Sequence, residues 1–415
     1  MPHGASTSTA ARNTARCWAM FVVLMLSGIS VGLSQLKITP VMVELAAMLG
    51  VTVTDAAWLT SVFTLTGIVL SIPGAALIGK IGPKKTLLFM LAMLVCGNVL
   101  GALSSSFPIM FVSRLIEGTA AVFVIPVGMD LINRWFSGAN VGISTGIFMT
   151  ATPVATFLAT STGLTVAESF GSIKSLWWII AVLDIVCILL VVLTVREMPR
   201  DLPAVEGGAP VNLVSEVHET LQAPALVLLC AAMFFLSYAL YSLITCYPQL
   251  FVYYGLPEET SNLLTSLNGL VGIPMSIISG FIIGKTGKPY HVALVGAIGA
   301  IVTCATLPYL SDATYALNVI GSAVFPGGIV LSPLFVLAPL LVRRADLSPM
   351  ATSIMNTFFY LGQLVSTPLT TALTGNNSSW LLPSLVLTAS CIVFFILTFL
   401  SMRHMQVEAT PSRAS

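Results

Sequence analysis

The sequence predicts an all-α polytopic membrane protein, with twelve transmembrane helices in two six-helix halves. Three observations carry that prediction. Charged residues make up 8% of the 415-residue chain and hydrophobic residues 56%, whereas an ordinary soluble domain is roughly one quarter charged. The apolar residues lie in long blocks, such as 86–104, 176–195 and 381–402, each enough for the ~20 helical residues that cross a hydrocarbon core. The stretch from Ser71 to Gly82 also returns from Ser276 to Gly287. Each copy is an apolar segment breaking into a glycine-flanked lysine, Gly79-Lys80-Ile81-Gly82 in the first and Gly284-Lys285-Thr286-Gly287 in the second.

The polar start, residues 1–16, is expected to be a cytoplasmic tail. The apolar run after it continues to Met42, too long for a signal peptide, and so predicts a retained first span. Apolar blocks read against turn and charge signals place twelve spans near 17–43, 56–79, 86–104, 108–132, 142–166 and 175–195, then 223–252, 261–284, 291–310, 314–342, 350–373 and 380–402. Of the 17 lysines and arginines, only Lys37 and Arg114 then fall inside spans, and only Lys174 falls on the outer side. That sorting obeys the positive-inside rule with both termini cytoplasmic. The expected units are halves at 17–195 and 223–402, a cytoplasmic connection at 196–222, and a tail at 403–415. Within the connection, Val214, Val217 and Leu221 share one helical face, which predicts a short helix on the inner membrane surface.

Composition excludes other classes. A net charge of +1 without a Lys/Arg run gives no basis for nucleic-acid binding. The seven cysteines are scattered without C-x-x-C spacing, so neither a disulfide framework nor a metal site is expected. No grouped His, Asp or Ser inside the spans suggests an enzyme, and no cofactor is expected. Gly74-Ala-Ala-Leu-Ile-Gly79-Lys80 has phosphate-loop spacing, but Ile81 stands where a magnesium-binding Ser/Thr is required.

Two six-span halves and the repeated Gly-Lys-x-Gly turn after spans 2 and 8 resemble the major facilitator superfamily over nearly the whole chain. In that family's motif after span 2 an aspartate stands where this chain has Gly79 and Gly284. The resemblance implies that these turns, with Lys80, Gly82, Lys285 and Gly287, serve conformational change through a latch built differently here. Arg114-Leu-Ile-Glu117-Gly118 is similar to the family's Arg-x-x-x-Gly motif in span 4, which is linked to substrate or proton coupling. The Gly-Pro-x-x-Gly-Gly element of drug/proton antiporters is absent from span 5.

Intramembrane charge is costly and therefore points to function. Ser27, Ser30, Ser34 and Lys37 recur on one face of span 1, and Lys37 either faces the bundle interior or snorkels to the headgroups. Arg114 and Glu117 stand one turn apart and can pair. They form either a structural ion pair or a substrate-binding cation beside a proton-carrying carboxylate. Asp184 is read as a coupling site or as a neutral carboxyl bonded to a neighbouring helix. In the second half Tyr241, Asn268, Asn356, Tyr360 and Gln363 are candidates to bind solute by hydrogen bonds, or serve as interhelical glue.

A duplicated membrane protein of this kind is expected to be a secondary transporter, with its site at the midplane between the halves. Lys37, Arg114 and Ser34 favour an organic or inorganic anion as substrate, with Glu117 and Asp184 handling a coupling proton, or a counter-anion exchanged. An exporter of amphipathic or drug-like compounds is the alternative. The expected setting is the cell (inner) membrane, with the chain monomeric and in contact with lipid.

Overall fold

The computed structural model describes residues 15–71, 81–136, 139–196, 213–342, 344, 347–374 and 379–409. All regular structure among them is helical. Residues 1–14 and 410–415 of the terminal tails, residues 197–212 of the connection, and Gly79 and Lys80 of the first turn lie outside the described residues.

Among the described residues, ten helices are long and apolar enough to cross a membrane: 15–49, 53–71, 83–103, 107–135, 143–169, 175–194, 224–253, 258–286, 315–340 and 381–405. The shorter apolar helix Pro289–Ala305 and the long, more polar helix Ser348–Thr374 occupy the positions of spans 9 and 11. Each of the twelve expected segments thus has a helical counterpart. Helices dominate because no water in the hydrocarbon core can satisfy a free peptide group, so each segment must bond its own backbone. Large apolar side chains lie exposed on the outside of both halves, Leu193 at 77% and Phe281 at 70% among them. A soluble protein does not present such a surface, whereas lipid covers it. This is a multi-pass membrane protein.

Within the first half, span 3 lies along spans 4 and 6, and span 1 along span 5; within the second, span 7 lies along spans 11 and 12, and span 9 along span 12. The main contacts across the seam join span 2 to span 11 and span 5 to span 8. Sequence repetition equates span 2 with span 8 and span 5 with span 11, so a two-fold operation exchanges these two contacts. The large apolar clusters stay inside one half or the other. Only a small one, Leu36, Ala159, Leu240 and Ile244, bridges them.

Local breaks position the centre. Span 1 is helical from Ala15 to Leu36 and then gives way to a 3-10 turn, Thr39–Val41. Pro40 has no N–H to offer the Leu36 carbonyl and disfavours helix at Thr39. Span 4 approaches span 2 so closely that a Cβ on Gly118 would strike the Phe63 carbonyl. In span 10 a π-helical stretch, Ala323–Ile329, surrounds Pro326; proline removes the regular donor and the turn widens.

The two repeated turns each hold a glycine at positive φ but in different conformations, with ψ 155° at Gly82 and 15° at Gly287. Gly82 has φ 84° and precedes the helix that begins at Pro83, whereas Gly287 has φ 61° and caps the end of span 8, its N–H donating to the Ile283 carbonyl. In the connection, the expected short helix runs from Leu213 to Leu221. Val217 packs on the apolar core of the second half, and Glu219 meets Arg344 at 3.2 Å, while Leu221 is exposed.

Candidate functional site

Two features meet at the centre: a closed network of charges inside the first half, and an uncharged polar cavity between the halves.

The charges come from spans 1, 4 and 6, and span 3 adds the amide of Asn98. Glu117 is fully buried, and one of its oxygens, Oε2, accepts from Ser34 Oγ at 2.7 Å, Lys37 Nζ at 2.8 Å and Arg114 Nη1. Its other oxygen accepts from Ser113 Oγ at 3.2 Å. Lys37 also donates to Asn98 Oδ1 and stands 4.6 Å from the centre of the Trp177 ring. The Asn98 amide passes the connection on, donating to Asp184 Oδ2 at 3.2 Å. Ser30 donates to the other Asp184 oxygen. Two cations and two acids form one continuous hydrogen-bonded set, each side chain no more than 2% exposed.

Lys37 therefore does not snorkel. Its ammonium lies inside the first half against Glu117, because a buried carboxylate compensates its charge better than a long reach to the headgroups does. Asp184 accepts from Ser30 of span 1 and Asn98 of span 3.

Arg114 has a second task. Where span 1 ends, the carbonyls of Ser34 and Gln35 lose their helical donors. Arg114 supplies replacements, with Nη1 on Ser34 O at 2.6 Å and Nη2 on Gln35 O at 3.0 Å. Its Nε donates to Leu59 O in span 2 at 2.9 Å. The planar fork thereby ties three spans together, and the guanidinium stacks 4.7 Å from the Phe63 ring centre.

One residue away lies the cavity, of about 10 Å³, room for about one water. Gln35 and Leu36 of span 1 and Thr60 and Ser61 of span 2 form its wall in the first half. Tyr241 and Thr245 of span 7, with Gln363, Ser366 and Thr367 of span 11, form the opposite wall. Tyr241 and Gln363 thus face Gln35 across the seam. Thr245 and Thr367 pair at 2.7 Å. Farther along, Asn262 Nδ2 donates to Pro40 O at 3.2 Å, and Ser71 pairs with Thr357 at 2.9 Å, joining the halves on either side of the cavity.

The residues singled out from sequence separate into groups. Lys37, Arg114, Ser34, Glu117 and Asp184 converge in the charge network. Tyr241 and Gln363 reach the cavity. Asn268 instead donates to Ser322 within the second half. Tyr360 reaches the Ala121 carbonyl across the seam at 3.4 Å, and Asn356 stands one turn before it on span 11. Sequence reasoning passed over Asn98, Gln35, Thr60 and Ser61. Gln35 follows Ser34 directly in the polar end of span 1, and Asn98 is an amide in mid-span; both signals were present.

Comparison with known proteins agrees with this architecture. The family model described as Major Facilitator Superfamily matches residues 20–348. The chain is 27% identical to the protein named "Putative transporter AraJ" of Escherichia coli (strain K12), over 66% of this chain and 67% of the relative. It is 23% identical to an uncharacterized MFS-type transporter, YbcL, of Bacillus subtilis (strain 168), over 72% and 73%. A chloramphenicol resistance protein of Streptomyces lividans is 25% identical over 44% of this chain and 46% of its own length. A match across most of the helical bundle makes a transporter rather than an enzyme of this chain, which belongs to the Major Facilitator Superfamily.

Proposed function

We propose that the protein is a secondary active transporter that moves a small solute by alternating access, with the charge network of the first half as its proton-coupling element. The observation that carries this reading is Glu117, one buried carboxylate shared by Lys37 and Arg114 beside the wall of the central cavity. A proton on Glu117 leaves those two cations facing each other without their shared counter-charge. Arg114 also holds the carbonyls of Ser34 and Gln35, so its rearrangement moves the end of span 1 against span 7. A proton shifts a conformational equilibrium only by its difference in affinity between the two states, and this geometry supplies one. The rocking units are residues 17–195 and 223–402, in a cell (inner) membrane with both termini cytoplasmic. Gly82 and Gly287 serve as turns at the moving ends.

The expected anion depended on free positive charge. Both Lys37 and Arg114 spend theirs on Glu117 in this conformation, which weakens that reading. Export of drug-like compounds gains support from the relative named for chloramphenicol resistance.

Hydrogen exchange of the reconstituted protein at mildly acid and mildly alkaline pH tests the coupling. Exchange at the ends of spans 1 and 7 is expected to change with pH in the parent and to become pH-independent in Glu117→Gln. A variant that follows pH as the parent does removes Glu117 from the coupling step.

A further inference from the structure

Three buried polar atoms at the central cavity have no protein partner among the described residues: Thr60 Oγ1, Ser61 Oγ and Gln363 Oε1. Their residues are 6%, 1% and 4% exposed. Two belong to span 2 and one to span 11, so they reach the same space from opposite halves. Neighbours on the same walls are satisfied: Thr245 and Thr367 bond each other, and Ser366 donates to the Gln363 carbonyl at 2.7 Å. A buried polar atom left unpaired is costly, and three around one cavity point to a molecule that pairs with them.

The chemistry of these atoms restricts that molecule. An amide oxygen only accepts, so the ligand must donate to Gln363; the two hydroxyls either donate or accept. Among the described residues, no lysine, arginine, histidine, aspartate or glutamate lines the cavity. An ion entering it would lose hydration without meeting a counter-charge. Leu36 and the ring of Tyr241 add apolar contact.

Resting on the transport reading above, we propose that the central cavity recognises an uncharged solute carrying hydroxyl or amide groups, and that Ser61 and Gln363 are its specificity-determining contacts. In this form the cavity has room for about one water, so such a ligand enters when the halves part and then bridges spans 2 and 11. The coupling proton and the solute then occupy separate places: the proton in the buried charge network of the first half, the solute at the seam.

Equilibrium binding to the purified full-length protein in detergent, without any gradient, tests this independently of coupling. The probes are chloramphenicol, D-xylose and myo-inositol as uncharged donors and acceptors, succinate as anion, and tetraphenylphosphonium as cation. At least one uncharged probe is expected to bind and both ions to fail. Gln363→Leu and Ser61→Ala are each expected to weaken that binding roughly tenfold, as loss of a hydrogen bond in a buried site does. Thr60→Val, nearly the same shape, serves as a milder variant if either of these fails to fold, and a several-fold loss is expected. The proposal is overturned if succinate or tetraphenylphosphonium binds in preference. It is equally overturned if no uncharged probe binds, in which case the three atoms serve water alone, or if the folded variants bind as the parent does. Parental binding with lost pH response in Glu117→Gln would leave both readings standing; binding lost in Gln363→Leu with pH response intact separates them.

Discussion

Arg114 donates from Nη2 to the backbone carbonyl of Gln35 at 3.0 Å, while the Gln35 side chain lines the central cavity. The residue that answers to the buried carboxylate also sets the end of span 1. Charge state and cavity wall are therefore mechanically linked over a single residue. An arginine, unlike a lysine, offers enough fixed donors for both duties.

Arg114→Lys should accordingly be severe despite keeping the charge. One ammonium cannot serve Glu117, Ser34 O, Gln35 O and Leu59 O together. Leaving buried carbonyls unpaired costs on the order of 2 kcal/mol or more. A clear drop in melting temperature and weaker ligand binding are expected from a thermal-shift titration; parental values for both would show that the fork is dispensable.

Glu117→Gln leaves Lys37 and Arg114 without their counter-charge, and breaking a buried ion pair costs about 3–5 kcal/mol. Adding Lys37→Met removes one of the stranded cations. The double variant Lys37→Met/Glu117→Gln should therefore be more stable than Glu117→Gln alone. A double-mutant cycle from melting data measures the coupling, and strict additivity would argue that the two residues do not interact.

Asn98 is the bridge from Lys37 to Asp184. Asn98→Leu keeps the branching of the side chain and removes both links, so the hydrogen-bonded connection between Asp184 and the Lys37–Glu117 pair is cut. The expected result is a displaced pH profile of transport with solute affinity nearly unchanged. An unaltered profile in folded protein would assign Asn98 to packing.

At Gly287 an added Cβ meets open space, yet φ is 61°. Gly287→Val therefore isolates backbone strain, about 1–2 kcal/mol for a left-handed L residue and more for a β-branched one. Slower transport with unchanged solute binding is expected from initial-rate measurements in proteoliposomes. Parental rates would make this turn a scaffold feature only.

Much of the fold was readable in the chain. The bilayer demands long apolar segments that bond their own backbones, and such segments stand out in composition. The pairing of Arg114 with Glu117 was readable too, because three residues on a helix bring side chains together whatever surrounds it. The polar stripe of Ser30, Ser34 and Lys37 announced a buried face for the same reason.

What joins that stripe to the rest was not readable. Lys37 meets Glu117 from 80 positions away, and the choice between headgroup and interior depended on whether a carboxylate lay opposite. Asn98, Thr60 and Ser61 are small polar residues of a kind that holds any membrane helices together, and nothing local sets them apart. Their separate fates follow from how each helix is rotated and which span it meets. Asn98 turns into the charge network, whereas Thr60 and Ser61 turn toward span 11.

The sequence by itself determined that this chain crosses the membrane repeatedly, that it is duplicated, and that few charges enter the bilayer, because local hydrophobicity and helical spacing act within a segment. Only the tertiary structure decided that those charges neutralise one another within one half and leave the shared cavity uncharged. Contacts between helices distant in the chain depend on packing angles and rotations that no single segment encodes.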